Sequence, residues 1–353
     1  MSAHDFAESF AIAGRKVGGG AQCYVVAEAG ANHNGDYAVA RELIDVAAEA
    51  GADAVKFQVY SGATLYSRKT PRFGYLKELS DKSTQELLEE VALPREWLAQ
   101  LAEHCASRGV AFFATPFDLD AVRELAAVGV PAFKIASFEL VDLELIGHAA
   151  RHGRPLILSC GMATYGEIED ALEVASREGA SEVALLRCAS LYPAPPSIMN
   201  LRAMATMRVA FGLPVGLSDH AEGIAVATSA AALGMELLEK HFTLDRSMKG
   251  PDHPFAIEPE ELRTLVRDIR DVEAALGHGR LTGPSDEEMQ MHSLARRSVI
   301  AACDIPAGTR IRREQLTVKR PGYGVAPKHL ELLVGRTARV NIEEDDVVRW
   351  EMV

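Results

Sequence analysis

The sequence predicts a (β/α)8 barrel, an α/β fold, followed by a small β-rich domain. Short apolar runs alternate with amphipathic helical stretches eight times between Tyr24 and Leu276. Nearly every run stops at a residue able to do chemistry. The pattern then changes after a segment rich in Gly, Pro, Ser, Asp and Glu. Alternation with short links implies parallel strands, and eight of them favour a closed barrel over an open sheet. Barrel enzymes carry their chemistry at the C-terminal ends of the strands. The expected boundaries are 1–277 for the barrel, 278–292 for a linker and 293–353 for the second domain.

Taken in order, Phe10–Ala13 and Val17 onward, joined through Gly14, read as a small hairpin. Tyr24–Ala27 ends at Glu28, and a helix over Tyr37–Ala50 closes at Gly51. Ala54–Phe57 contains Lys56 and ends at Gln58. Ala111–Ala114 ends at Thr115-Pro116, with a helix over Asp120–Ala127. Ala132–Ile135 contains Lys134 and leads to Ser137 and Glu139. Leu156–Leu158 ends at Ser159, and its helix opens with the capping box Thr164-x-x-Glu167. Val183–Leu186 leads to Ser190 and Tyr192. Val215–Leu217 ends at Ser218-Asp219-His220, Glu236–Lys240 ends at His241, and a helix over Pro259–Leu276 closes the series.

One connection, Tyr60–Val91, is long enough to be a lid or substrate loop. In the second domain, Asp304-Ile-Pro-Ala-Gly-Thr-Arg-Ile-Arg and Asn341-Ile-Glu-Glu-Asp-Asp-Val-Val-Arg share a pattern. That weak repeat predicts a pseudo-symmetric β domain with little core of its own, expected to dock on the barrel or on a partner subunit.

The formal charge of −13 on 353 residues argues against a nucleic-acid partner, which needs a basic face. A local basic pocket can still admit an anion. The five scattered cysteines form no CxxC pair and read as reduced thiols of a cytoplasmic protein. Met1–Phe10 has no apolar core, so a signal peptide is not expected, and no apolar stretch is long enough to span a bilayer.

Lys56 and Lys134 lie within apolar strands, where an ammonium needs an anion. Either they pair with Glu28, Glu139 or Asp219, or they face a shared anionic ligand. Hydroxyls of Thr115, Ser137, Ser159, Ser190 and Ser218 fall at the same level. Two lysines among hydroxyls suit a small molecule bearing phosphate and carboxylate, such as phosphoenolpyruvate. His220 and His241 either hold a divalent metal or form structural hydrogen bonds. No GxGxxG follows a strand and no GxxxxGK[ST] is present, so dinucleotide and P-loop readings fail. A Schiff base at Lys134 would leave the histidines unexplained.

The chain resembles the bacterial sialic acid synthases, the phosphoenolpyruvate-dependent nonulosonic acid synthases. The resemblance runs in order through Ala27-Glu-Ala-Gly-Ala-Asn-His-Asn-Gly35, Val55-Lys-Phe-Gln58, Ala114-Thr-Pro-Phe117, Lys134-Ile-Ala-Ser-Phe-Glu139 and Leu158-Ser-Cys-Gly-Met162. It continues through Tyr192-Pro-Ala-Pro, Gly216-Leu-Ser-Asp-His220, Glu239-Lys-His-Phe242, Gly250-Pro-Asp-His253 and Lys319-Arg-Pro-Gly322. It implies a TIM barrel plus an antifreeze-like (SAF, β-clip) domain in a domain-swapped homodimer. The implied reaction condenses phosphoenolpyruvate with an N-acylated mannosamine-type aldose.

By resemblance, the ligands of a Mn2+ or Mg2+ ion fall on His220 and His241. Phosphoenolpyruvate contacts fall on Lys56, Thr115, Lys134, Ser137, Ser159, Ser190 and Ser218. Sugar contacts fall on Gln58, Glu139, Tyr192, Asp252 and, from the second copy's C-terminal domain, Arg320. Glu28 is the candidate to orient or deprotonate a water. Branch signals conflict: Ala-Ser-Phe-Glu and Arg320-Pro-Gly-Tyr-Gly324 resemble pseudaminic acid synthases, while Gly250-Pro-Asp-His253 is nearer the legionaminic and N-acetylneuraminic branches. An N-acetylneuraminate-type substrate is favoured. The competing readings are a 3-deoxy-sugar-acid phosphate synthase, which would need a further basic site drawn from Arg72, Arg187 or Arg246, and a non-catalytic sugar-binding protein.

Overall fold

The computed structural model describes residues 6–71 and 82–353. The chain divides into two compact units, Met1–Gly277 and His278–Val353. Within the first, an antiparallel hairpin of β1 (Ser9–Ile12) and β2 (Arg15–Gly18) precedes eight parallel strands. These are β3 (Tyr24–Gly30), β4 (Ala54–Val59), β5 (Ala111–Pro116), β6 (Phe133–Ile135), β7 (Leu156–Ser159), β8 (Val183–Cys188), β9 (Val215–Asp219) and β10 (Leu237–His241). Their order is β5-β4-β3-β10-β9-β8-β7-β6, so β3 and β10 are neighbours, and β5 and β6 pack side by side to close the ring.

The period-two alternation of each strand sorts its side chains into two cores. Val25, Val55, Phe133, Leu158, Leu217 and Leu238 point outward against the helices. Tyr24, Val26, Ala54, Phe113, Ala132, Ile157, Ala184, Leu186 and Leu237 point inward. The hairpin residues Phe10, Ile12 and Val17 join this inner cluster, so the N-terminal end of the barrel is plugged by apolar side chains. One step further along each strand, the same alternation turns Glu28, Lys56, Thr115, Lys134, Ser159, Ser218 and Glu239 toward the axis, and all are buried. The lower layers are apolar and the upper layer is polar, which places the chemistry at the C-terminal mouth.

Gly216 has a specific steric duty. A Cβ there would lie 1.9 Å from the Leu237 carbonyl oxygen, so only glycine lets β9 approach β10 this closely. The Thr164–Glu167 capping box forms as expected, starting the helix Tyr165–Arg177.

In the second unit, β11 (Ser298–Ala301) pairs antiparallel with β12 (Leu316–Lys319) around a core of its own. The repeat is physical. Ile305 and Ile342, equivalent in the two copies, exchange both backbone hydrogen bonds (2.8 and 3.0 Å). Gly308 N–H donates to Ala338 O, and its counterpart Asp345 N–H donates to Ala301 O. Ala301 N–H to Asp346 O is matched by Ala338 N–H to Thr309 O. The expected linker ends differently, because Met289–Ala295 is helical.

Candidate active site at the barrel mouth

Glu28 is fully buried at the end of β3, its register broken by a bulge before Gly30. Its Oε2 lies 2.8 Å from Lys56 Nζ, and its Oε1 accepts from Gln58 Nε2 at 2.8 Å. Burial pushes the Glu28 carboxyl up to about 7, against the pull of Lys56. Lys56 Nζ also donates to Thr115 Oγ1 at 2.8 Å. Pairing of Lys56 with Glu28 therefore holds, but Asp219 pairs elsewhere, with Lys240.

Sequence reading missed Glu239. Its carboxylate stands between the two strand lysines, 3.7 Å from Lys56 Nζ and 3.6 Å from Lys134 Nζ, and accepts from Ser218 Oγ at 3.3 Å. Burial alone would raise its carboxyl, but Lys134, Lys56 and His220 hold it below the usual range. For Lys56, burial is outweighed by Glu239 and Glu28, which keep the ammonium above its ordinary value. Burial wins at Lys134, which donates to the Ile135 carbonyl at 3.2 Å, and its ammonium falls below the ordinary value. A signal for Glu239 existed in the sequence: if His241 faces the axis, the residue two before it faces the axis too.

The hydroxyls gather on the other side of the mouth. Ser137 Oγ accepts from Gly161 N–H at 2.9 Å. A Cβ at Gly161 would lie 2.2 Å from Ser190 Oγ and 2.8 Å from Ser137 Oγ, which shows how tightly the three converge. Ser159 Oγ and Ser190 Oγ are buried without a hydrogen-bond partner, as is Glu139 Oε2. Buried polar atoms of this kind are costly unless a ligand or water satisfies them. Burial pushes the Glu139 carboxyl up to about 7.

His220 and His241 lie with ring centroids 5.4 Å apart. His220 Nδ1 faces the Ala189 carbonyl at 2.9 Å, which fixes it as the N–H and turns Nε2 into the basic nitrogen. His241 is held well below its usual protonation range by burial and by His220, and its buried Nδ1 has no hydrogen-bond partner. The Asp252 carboxylate lies 3.8 Å from that nitrogen and accepts from Ala31 N–H at 3.3 Å. Gly30, at φ 52°, leaves room for it, since a Cβ there would lie 2.6 Å from Asp252 Oδ2. Burial works against the charged form of His220, but Cys188, the Ala189 carbonyl and Glu239 hold it above its usual range. Neutral His241 with its orphaned nitrogen, and His220 once it gives up its proton, make a donor pair that fits a divalent metal taking its other ligands from substrate and water. No cluster of three or more His, Cys, Asp or Glu that could cage a metal occurs among the described residues.

Tyr192 packs against His220 with the rings tilted by 33° and their centroids 4.2 Å apart. Beside it opens a cleft of about 120 Å³ lined by Gln58, Tyr60, Phe117, Phe138, His241 and Asp252, among others. Leu65, Tyr66 and Leu88 of the long insertion also line this cleft. Arg320 lies in the second unit, exposed after β12. Arg187 is spent on the carbonyls of Met199, Cys188 and Ile198, and Arg246 pairs with Glu258 and Glu261. Arg72 lies outside the described residues. Four cysteines are buried and Cys303 is exposed, all as free thiols.

The barrel mouth thus gathers two buried lysines, unpartnered hydroxyls and a pair of imidazoles. A family model described as the NeuB family matches residues 43–281, and a SAF domain model matches 296–353. The chain belongs to the NeuB family of sialic acid synthases and carries a C-terminal SAF domain. It is 40% identical to N,N'-diacetyllegionaminic acid synthase of Campylobacter jejuni, over 92% of this chain and 98% of that one. It is 35% identical to N-acetylneuraminate-9-phosphate synthase of Homo sapiens, over 96% and 95%. Among solved structures, the N-acetylneuraminic acid synthetase of Leptospira borgpetersenii in complex with citrate matches at TM-score 0.73 and 34% identity, covering 82% of this chain and 96% of that one. No helix among the described residues is long and apolar enough to cross a membrane.

Proposed function

We propose that the protein condenses phosphoenolpyruvate with an N-acylated mannosamine-type aldose, giving a nonulosonic acid and phosphate. One observation carries the reading: two buried lysines and the unpartnered hydroxyls of Ser159 and Ser190 share the barrel mouth with the imidazoles of His220 and His241. Lys56 and Lys134 hold the two anionic groups, with Thr115, Ser137, Ser159, Ser190 and Ser218 donating hydrogen bonds. Gln58, Glu139, Tyr192 and Asp252 hold the sugar, and Arg320 of a second copy completes the site in a domain-swapped homodimer. A divalent metal on His220 and His241, Mn2+ or Mg2+, supplies Lewis-acid polarisation of the sugar aldehyde.

C3 of phosphoenolpyruvate attacks the aldehyde carbon, and C2 becomes cationic. Water adds to C2 with Glu28, set between Lys56 and Gln58, accepting its proton. The tetrahedral intermediate then breaks its C–O bond and expels phosphate. The water oxygen stays on C2, and its two protons end on the new hydroxyl and on phosphate. The fixed lysines and hydroxyls offset the moving charge without reorganising.

The cleft walls refine the choice of sugar. Tyr60, Leu65, Phe117 and Phe138 offer apolar surface where a hydroxyl-rich sugar gains little. A diacetamido-trideoxyhexose of the legionaminic type, with two acetyl methyls and a carbon stripped of its hydroxyl, suits them better. This moves the preference away from the N-acetylneuraminate type favoured on the family resemblance, and the legionaminic acid synthase relative supports the move. The test is phosphate release with N-acetylmannosamine, its 6-phosphate, and the diacetamido-trideoxyhexoses that lead to legionaminic and pseudaminic acids. The highest kcat/KM is expected for the legionaminic precursor, and activity with the 6-phosphate alone would overturn the reading.

A further inference from the structure

The residues that precede the two histidines are themselves paired. Lys240 Nζ lies 2.9 Å from Asp219 Oδ2, and both side chains are almost wholly buried. They point outward, on the face of β9 and β10 opposite the anion pocket, following Leu217 and Leu238 into the outer core. Lys240 also donates to the Ala221 carbonyl, and Asp219 Oδ1 accepts from Ala221 N–H at 2.9 Å. One ammonium therefore grips both sides of His220.

The two histidines need this help unequally. His241 is the last residue of β10, and its neighbourhood is tied to β3: it is in register with Glu28, Phe242 N–H donates to Glu28 O, and Ile257 N–H donates to His241 O. His220 lies past the end of β9, whose ladder to β10 stops at the Asp219–Lys240 pair. Beyond that point the main-chain tie is the Ala194 N–H to His220 O bond, and the ring is held by the Ala189 carbonyl, by Cys188 Sγ at 3.8 Å and by the Tyr192 ring. A buried ion pair is weak evidence for stability, because desolvation offsets the attraction. Its value here is geometric.

We propose that Asp219 and Lys240 form a positioning clamp that sets the spacing of His220 and His241, and so the affinity for the divalent metal. The metal half of the statement rests on the function proposed above, and the spacing half does not. Outer groups that orient metal ligands are worth about 10–100-fold in metal affinity when removed.

The test compares the full chain with Asp219→Asn/Lys240→Met, which removes both charges of the pair together, and with Asp219→Glu, which keeps both charges and lengthens the clasp. Two quantities are read: the His220–His241 ring separation in metal-free crystals of parent and variants, set against the 5.4 Å described above, and the dissociation constant of Mn2+ by calorimetry. Both variants are expected to move the rings apart or out of alignment and to weaken Mn2+ by about 10–100-fold, with circular dichroism unchanged. Asp219→Glu keeps the test alive if the neutral pair fails to fold. Parental ring spacing and Mn2+ affinity in a folded variant overturn the clamp. If the parent itself takes up no Mn2+, the metal reading falls alone, and the clamp stands or falls on the ring separation.

Discussion

Replacing Lys56 with methionine removes the only cation within ion-pair distance of Glu28 among the described residues. Methionine keeps the length and apolar stem of lysine, so the cavity term is small and the loss is electrostatic. Glu28 is fully buried, and its Oε2 would lose its partner at 2.8 Å. Glu239 would lose one of its two lysines, keeping Lys134 at 3.6 Å. Breaking a buried pair by deleting one partner costs about 3–5 kcal/mol while the stranded charge stays ionised. Glu28, already raised to about 7, takes up a proton once Lys56 is gone, so the loss is read at about pH 9, where that uptake is itself costly. In a domain of this size the loss corresponds to a fall in Tm on the order of 10 °C. Adding Glu28→Gln removes the stranded charge, and the new amide can still bond Gln58, so most of the stability should return while activity does not. The chain has two tryptophans, Trp97 in the barrel and Trp350 in the second unit, so urea unfolding in a Trp350→Phe background reports the barrel alone. A single variant within about 1 kcal/mol of the parent, or a double variant no more stable than the single, would refute the reasoning.

Gly161→Ala should raise the KM for phosphoenolpyruvate at least tenfold with little change in Tm, since a Cβ there collides with the Ser190 and Ser137 hydroxyls, which can rotate away from the pocket; steady-state kinetics beside a melting curve checks it. Glu139, buried with its carboxyl raised to about 7, binds its proton more tightly folded than unfolded. Stability should therefore fall as pH rises from about 4.5 to about 7 and then level off, by up to roughly 3 kcal/mol from this group. Glu28, raised to the same value, adds a slope of its own, so Glu139→Gln should reduce but not abolish the fall in urea titrations across the range, and an unchanged slope counts against it. His220→Ala and His241→Ala should each abolish Mn2+ binding in calorimetry while circular dichroism stays native. Arg320→Ala should raise the KM for the sugar more than that for phosphoenolpyruvate. Mixing it with an inactive Lys134→Ala chain should restore part of the activity, and no rescue would oppose a site shared between copies.

Much of this was legible in the sequence, for identifiable reasons. Apolar runs ending in polar residues set the strands, and period-two alternation then forces Lys56, Lys134 and the strand-end hydroxyls inward. Glu239 escaped notice because its meaning depends on a neighbour: it becomes an internal counter-ion only once His241 is known to face the axis. Asp219 was a natural partner for a strand lysine, yet it pairs with Lys240 because both occupy outward positions, which linear spacing does not reveal. Gly161 was visible only as part of a motif, and its reason, the convergence of Ser137 and Ser190, is three-dimensional. The second unit's repeat was faint as sequence because its equivalence lies in paired backbone hydrogen bonds, which constrain side chains weakly.

The central claim, that phosphoenolpyruvate is condensed with the sugar through C–O cleavage at C2, is tested most directly with phosphoenolpyruvate carrying 18O in the bridging position. Incubated with the legionaminic-type aldose and Mn2+, the expected products are phosphate that retains the label and a nonulosonic acid without it, read by mass spectrometry. Label found in the sugar acid, or no condensation product at all, would contradict the claim.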